Sequence, residues 1–156
     1  MAINMIRVDD RLIHGQIVAA WVKSLGLERI WIIDNATAND SFLKNVMKMV
    51  APPNVEFIVS DEDNIAEDAK RFDEDSVKSL VLVKYPATAE KLFATGISFR
   101  ELQVGGIGAN ANRKKVYKNI SMSDDELEAC KRMLNSGVKV YIQVTPDDKR
   151  VSLDQV

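Results

Sequence analysis

Cysteine is nearly absent from this sequence, with Cys130 alone in 156 residues. No internal disulfide can form, and a reducing compartment is the simplest setting. Histidine is equally scarce, represented only by His14. One histidine, one distant cysteine and scattered carboxylates give no recognisable ligand spacing, so no metal is expected. Neither sign of charge dominates: 21 lysines and arginines face 23 aspartates and glutamates. No basic block suggests nucleic acid, and no acidic tail suggests a disordered partner segment. No apolar run approaches the ~20 residues needed to cross a bilayer. Nothing at the start reads as a signal peptide, because the run Met1 to Val8 meets charge at Arg7, Asp9 and Asp10. A Gly-x-Ser-x-Gly elbow is missing, which leaves a serine hydrolase poorly supported. The glycines Gly105-Gly106-Ile107-Gly108 lack both the dinucleotide fingerprint and the Walker lysine, so no cofactor is expected. These absences leave a cytoplasmic, single-domain chain over residues 1–156, with any membrane role supplied by partners.

What is present is an alternation of two periods. Apolar or β-branched runs occur at Ile3–Val8, Arg29–Ile33, Val55–Val59, Leu80–Val83, Leu102–Val104 and Val138–Val144. Several are apolar on successive residues, as strands buried on both faces of a sheet should be. Between them, Ile17, Val18, Trp21, Val22 and Leu25 recur at helical spacing, and Gly26 closes that helix. Phe42, Val46, Met49 and Val50 recur likewise before Pro52-Pro53. Met47, Met49 and Met133 read as core gap fillers, and Trp21 and Trp31 as core. Ser123 and Glu126 form a capping box ahead of Leu127, Cys130, Met133 and Leu134, and Gly137 is the expected stop. The alternation predicts a three-layer α/β/α sandwich around a mostly parallel sheet of six or seven strands. The basic, Gly/Asn-containing stretch Gly105 to Lys115 reads as an exposed loop.

In such sheets ligands bind beyond the carboxyl ends of the strands. The end of the first strand carries Arg7-Val8-Asp9-Asp10-Arg11-Leu12-Ile13-His14-Gly15-Gln16, which places His14 near a helix N-terminus. Unpaired N–H groups and the dipole favour an anion there. Gly15 allows close approach to the backbone, and with Gln16 and Arg7 it is expected to bind phosphate. Positive surroundings keep the imidazole neutral and one ring nitrogen free as a nucleophile. Arg11 can stabilise a transferring group, while Asp9 and Asp10 orient the arginines or the ring. The residues alone leave two readings open: a phosphoryl-transfer site, or a polar loop of solvated and paired charges.

The same ten residues resemble the signature of the enzyme IIB components of the mannose/fructose/sorbose family of bacterial sugar phosphotransferase systems. Val50-Ala51-Pro52-Pro53, Val104-Gly105-Gly106 and the segment Ser121 to Val144 are similar to stretches in the same order in that family. The resemblance implies that His14 is the phosphoacceptor and Arg11 the arginine of transfer, with Arg7, Asp9 and Asp10 around them. It implies a donor, enzyme IIA, on a separate chain, and delivery to a sugar through the membrane enzymes IIC and IID. The paired glycines Gly105 and Gly106 are expected to form a second loop at the same sheet edge. A homo-oligomer is left open. The rival phosphotransfer reading is a receiver-like domain, with Asp9 and Asp10 as the acidic pair, Asp61 as acceptor and Lys84 nearby. A third reading is a regulatory module that is phosphorylated on His14 but never discharges to sugar.

Overall fold

The computed structural model describes residues 3–155, so the first two residues of the N-terminal apolar run lie outside it. Strands β1 (Ile3–Asp9), β2 (Arg29–Ile33), β3 (Glu56–Ser60), β4 (Ser79–Val83), β5 (Glu101–Gly106), β8 (Lys139–Ile142) and β9 (Val151–Ser152) form one sheet. Their order is β3-β2-β4-β1-β5-β8-β9, and all neighbours are parallel except β8 and β9. The expected sheet is thus present. Its strand β9 follows a short run that carries no apolar signal of its own.

The helices cover both faces, as two separate cores show. On one face α4 (Ile65–Glu74), α5 (Pro86–Phe93) and α6 (Asp124–Asn135) bury Phe72, Leu92, Cys130 and Met133 against Ile6, Val8, Val81 and Val104. On the other, α1 (Gly15–Leu25) buries Val18 and Trp21 against Met5, Ile30, Leu80 and Leu82. Alternate residues of one strand point to opposite faces, which is why these strands read as continuous apolar runs. The local stop and start signals act as the sequence predicts. Gly26 adopts φ 62° after α1, and Ser123 and Glu126 complete the capping box of α6. Cys130 is buried, and that burial pushes its thiol pKa up to about 12.

Two expectations need correction, and one element was missed. The stretch Gly105 to Lys115 is not one loop: Gly105 and Gly106 finish β5, and Lys114 begins a small hairpin of β6 (Lys114–Tyr117) and β7 (Ile120–Met122). Ile120 and Met122 are buried in the core, so the hairpin is anchored despite its charged first strand. The short helix α2 (Asn35–Ala38), capped by the Asp34 side chain, has no apolar period and escapes detection. Helix α3 (Ser41–Val50) forms and ends where Pro52-Pro53 require, but it turns its apolar stripe outward. Met49 is 84% exposed and Phe42 76% exposed, so neither is a core residue. Only Leu43, Lys44 and Met47 on its other side are half-buried.

Candidate functional site

The chain leaves β1 toward one side of the sheet, through α1 to β2, and leaves β5 toward the other, through the hairpin and α6 to β8. The adjacent carboxyl ends of β1 and β5 are therefore a topological switch point, where a crevice opens in sheets of this kind. Both the charged decapeptide and the glycine run lie there.

The structure shows why the two segments match. Arg7, 1% exposed, lies beneath Gly105, where any Cβ would overlap its guanidinium. Asp9 packs against Gly106 and Asp10 against Gly108, where an added Cβ would come within 3.2 and 3.3 Å of their carboxylate oxygens. Three charged side chains of one strand end thus occupy room left by three glycines of its neighbour. Backbone contacts hold them together: the Asp10 N–H donates to the Gly106 carbonyl (2.8 Å), and the Gly108 N–H donates to Asp10 Oδ2 (2.8 Å).

Below this surface Arg7 Nη1 donates to Gln103 Oε1 and to the Gln143 carbonyl, and Nη2 donates to Asp9 Oδ2 (3.4 Å). Burial pulls the Arg7 pKa below its usual value, and Asp9 works against that. The buried Asp9 carboxylate also accepts the Arg11 N–H at 3.1 Å, and its carbonyl accepts the Leu12 N–H at 2.9 Å. These bonds force a tight turn in which Leu12 takes φ 55°. That conformation costs a non-glycine residue about 1–2 kcal/mol. The Leu12 side chain, buried with Val18 and Trp21, secures it. From the far side Arg113 donates to Glu126 through Nε and Nη2, and through Nη1 to the Gly108 carbonyl (2.9 Å) and to Asp10 Oδ2 (3.4 Å).

The turn delivers His14 as the N-cap of α1, with its carbonyl accepting the Val18 N–H and its side chain capping nothing. The first turn of α1 contains no acidic residue, in contrast with α6. The dipole and free N–H groups at this end are thus not neutralised by the helix's own side chains. Burial pushes the His14 pKa below its ordinary 6.5; Arg11 and Arg7 push the same way, and Asp9 and Asp10 oppose them. Its Nε2 is enclosed and hydrogen-bonds to no described group. Beside it, the Arg11 side chain is 61% exposed, with its Nε 3.7 Å from Asp9 Oδ1. An imidazole disposed to be neutral, an exposed guanidinium and a bare helix terminus together suit attack on, and stabilisation of, a phosphoryl group.

This geometry accompanies a match over residues 3–156 to the family described as "PTS system sorbose subfamily IIB component". The chain belongs to that family. Among relatives, the fructose-specific EIIB component of Bacillus subtilis (strain 168) is 28% identical, with 100% of this chain and 96% of that protein aligned. The solved structure of manxB from Thermoanaerobacter tengcongensis has a TM-score of 0.86 and 32% identity, over 99% of this chain and 93% of that one. The IIBSor domain of the sorbose permease from Klebsiella pneumoniae has a TM-score of 0.89 at 25% identity, over 99% and 96%. The protein is therefore a IIB component, a phosphotransferase element of a sugar system.

Seen as a IIB component, the decapeptide divides by depth. His14, Arg11, Gly15 and Gln16 stand at the surface or half-buried, and Gln16 is exposed in the first turn of α1. Arg7 was expected to bind phosphate, but its burial and its three hydrogen bonds leave it positioning Asp9 instead. Asp9 and Asp10 bond into the turn and to the glycine run beside it. Gln103, Gln143 and Arg113 were not anticipated. For the two glutamines a signal was available: Gln103 is the lone polar residue of Leu102–Val104, and Gln143 interrupts the apolar stretch Val140 to Val144. The segment after β8 holds the site twice, through the Gln143 carbonyl on Arg7 and the Val144 carbonyl, which accepts from Trp21 Nε1 at 3.0 Å. The receiver-like constellation does not assemble. Asp61 follows the edge strand β3, separated from β1 by β2 and β4, and caps a short turn through Asn64. Among the described residues, no three of His, Cys, Asp and Glu gather as a metal site, and no helix is long and apolar enough to cross a membrane.

Proposed function

We propose that His14 takes a phosphoryl group from a phosphohistidine on enzyme IIA, a separate chain, and delivers it to a sugar held by the membrane enzymes IIC and IID. The observation that carries this is an imidazole at the uncapped N-terminus of α1, its pKa held below the ordinary value by burial, with an exposed arginine beside it. With Nε2 enclosed, the new P–N bond is assigned to Nδ1. The bond forms as the donor's P–N bond breaks, and it breaks in turn when a sugar hydroxyl attacks. The N–H groups of Gly15 and Gln16 and the guanidinium of Arg11 receive the phosphoryl oxygens. Asp9, Arg7 and Asp10 hold the turn that aims His14. In this reading the chain, 1–156, is one IIB domain that works in the cytoplasm and meets the membrane through its partners.

Intact-protein mass after incubation with phosphoenolpyruvate, the general phosphotransfer proteins and a matched enzyme IIA tests the proposal. A single phosphoryl adduct that survives alkali and is lost in acid is expected. An adduct cleaved by alkali or hydroxylamine would move the assignment to an aspartate. Discharge by membranes containing enzymes IIC and IID is expected next; a stable adduct there would make this a regulatory module instead.

Two further outcomes follow from the geometry. Arg11→Ala should slow transfer to sugar by about 100-fold, the scale of losing one oriented donor to a developing charge. Arg11→Lys should recover only part of this, since a point charge cannot replace paired donors. Single-turnover rates equal to wild type in both half-reactions would remove Arg11 from the mechanism. The pH dependence has a definite sign. Because the folded pKa of His14 is lowered, the neutral ring persists as the pH falls through 6.5. The acid limb of the labelling rate should therefore lie below pH 6.5, whereas a limb at or above that value would contradict the assigned environment. The unfolded chain takes this proton first, so the site also lowers stability as the pH drops from about 6.5 toward the folded pKa.

A further inference from the structure

The stripe that α3 turns outward consists of Phe42, Val46, Met49 and Val50, at i, i+4, i+7 and i+8. Their exposures are 76%, 40%, 84% and 46%, and α3 has no fully buried residue. Large apolar side chains held in solvent along one helix face mark a binding surface more often than a core. Two observations say what covers this one. The stripe runs into the reactive site: Val50 Cγ1 lies 3.4 Å from where a Cβ on Gly15 would sit, and Gly15 follows His14. Its surroundings are basic as well: Arg11 is exposed in the site turn, and Ser41–Val50 carries the exposed Lys48, with Lys44 on the far side and no acidic residue. A second copy of this chain fits poorly. A twofold pairing through α3 would set two basic helices, neither with an acidic residue, against each other. It would also close the approach to His14.

We propose that the exposed face of α3 is the docking surface for the phosphoryl donor, which presents an apolar patch rimmed by carboxylates. This rests on the reading of His14 as the acceptor. Phosphoryl transfer between two histidines requires both proteins to meet around His14, and α3 is the apolar ground next to it. Phe42 and Met49, the most exposed of the four, insert into the donor, while Val50 lies at the margin of the site. The exposed Lys48 and Arg11 steer the encounter.

The test compares wild type with Phe42→Asp and Met49→Asp, using initial rates of His14 labelling against the concentration of phosphorylated enzyme IIA. Both residues are exposed, so folding is retained. KM for enzyme IIA is expected to rise at least tenfold in each variant, with kcat within twofold of wild type. Labelling by phosphoramidate, a phosphodonor with no protein surface, should not change. Lys48→Glu should raise KM and flatten its dependence on salt. An unchanged KM in both aspartate variants overturns the proposal. So does a parallel loss of phosphoramidate labelling, which would show that α3 shapes the His14 site itself. A concentration-dependent dimer that the variants dissolve, with KM unchanged, would give the stripe to a second copy. If wild type takes phosphate from phosphoramidate but not from enzyme IIA, the function assigned above fails first, and this inference with it.

Discussion

His14→Ala is expected to leave a folded protein that accepts no phosphoryl group. The chain has no second histidine to substitute for it, and among the residues around it Asp9 is buried in ion pairs with Arg7 and Arg11. Residual transfer should therefore fall below detection, a loss of at least four orders of magnitude, rather than the partial losses expected at supporting positions. The fold should not suffer. The ring is half-buried, caps nothing and contributes no hydrogen bond from Nε2, so its removal should change unfolding free energy by less than about 1 kcal/mol. Urea unfolding with tryptophan fluorescence checks the second half of the expectation, and mass after donor treatment checks the first. A phosphoryl adduct of normal yield on the variant would remove His14 from the chemistry.

Gly105→Ala should be as damaging from the opposite direction, through a residue with no functional group. The new methyl group would occupy the space of the Arg7 guanidinium. A long arginine at the surface could swing aside, but this one is 1% exposed and fixed by Gln103, the Gln143 carbonyl and Asp9. Displacing it separates the buried Asp9 from its one buried cation, a loss of about 3–5 kcal/mol for a broken buried pair. The turn that carries Arg11 and His14 hangs from that same carboxylate through the Arg11 N–H. The expected result is a midpoint in urea shifted to much lower concentration, together with slow labelling in the fraction that folds. A shift equivalent to less than about 1 kcal/mol would show that Arg7 has somewhere else to go.

These two residues also show how far a sequence can be read. His14 and the helix behind it were legible because their signals are local. A strand end, a run of charged residues and a helical period follow one another directly, and Gly26 and the Ser123–Glu126 box mark helix ends within a few residues. The partnership of Arg7 with Gly105 was not legible, because it links residues 98 positions apart. Parity gives a hint: Arg7 and Asp9 are two apart in a strand and so share a face. Whether that face holds solvent or packed chain depends on β5 and β8. Helix α3 failed in the same way. Its apolar stripe has the period of a core helix, and periodicity cannot say which side of the helix the sheet lies on. The β6–β7 hairpin was hidden because Lys114 and Lys115 suppress the apolar signal, while the anchoring residues, Ile120 and Met122, come only in the second strand.

Cys130 gives the fold an experimental convenience. Its thiol is buried on α6 and pushed up to about 12, so almost none of it is thiolate near neutral pH, and the thiolate is the form that reacts. A new cysteine introduced by Met49→Cys or Val46→Cys would then be the only one open to a maleimide dye or spin label. The wild-type background needs no cysteine removal. Single-site labels along α3 can report the approach of another protein in real time, with the native chain itself as the unlabelled control.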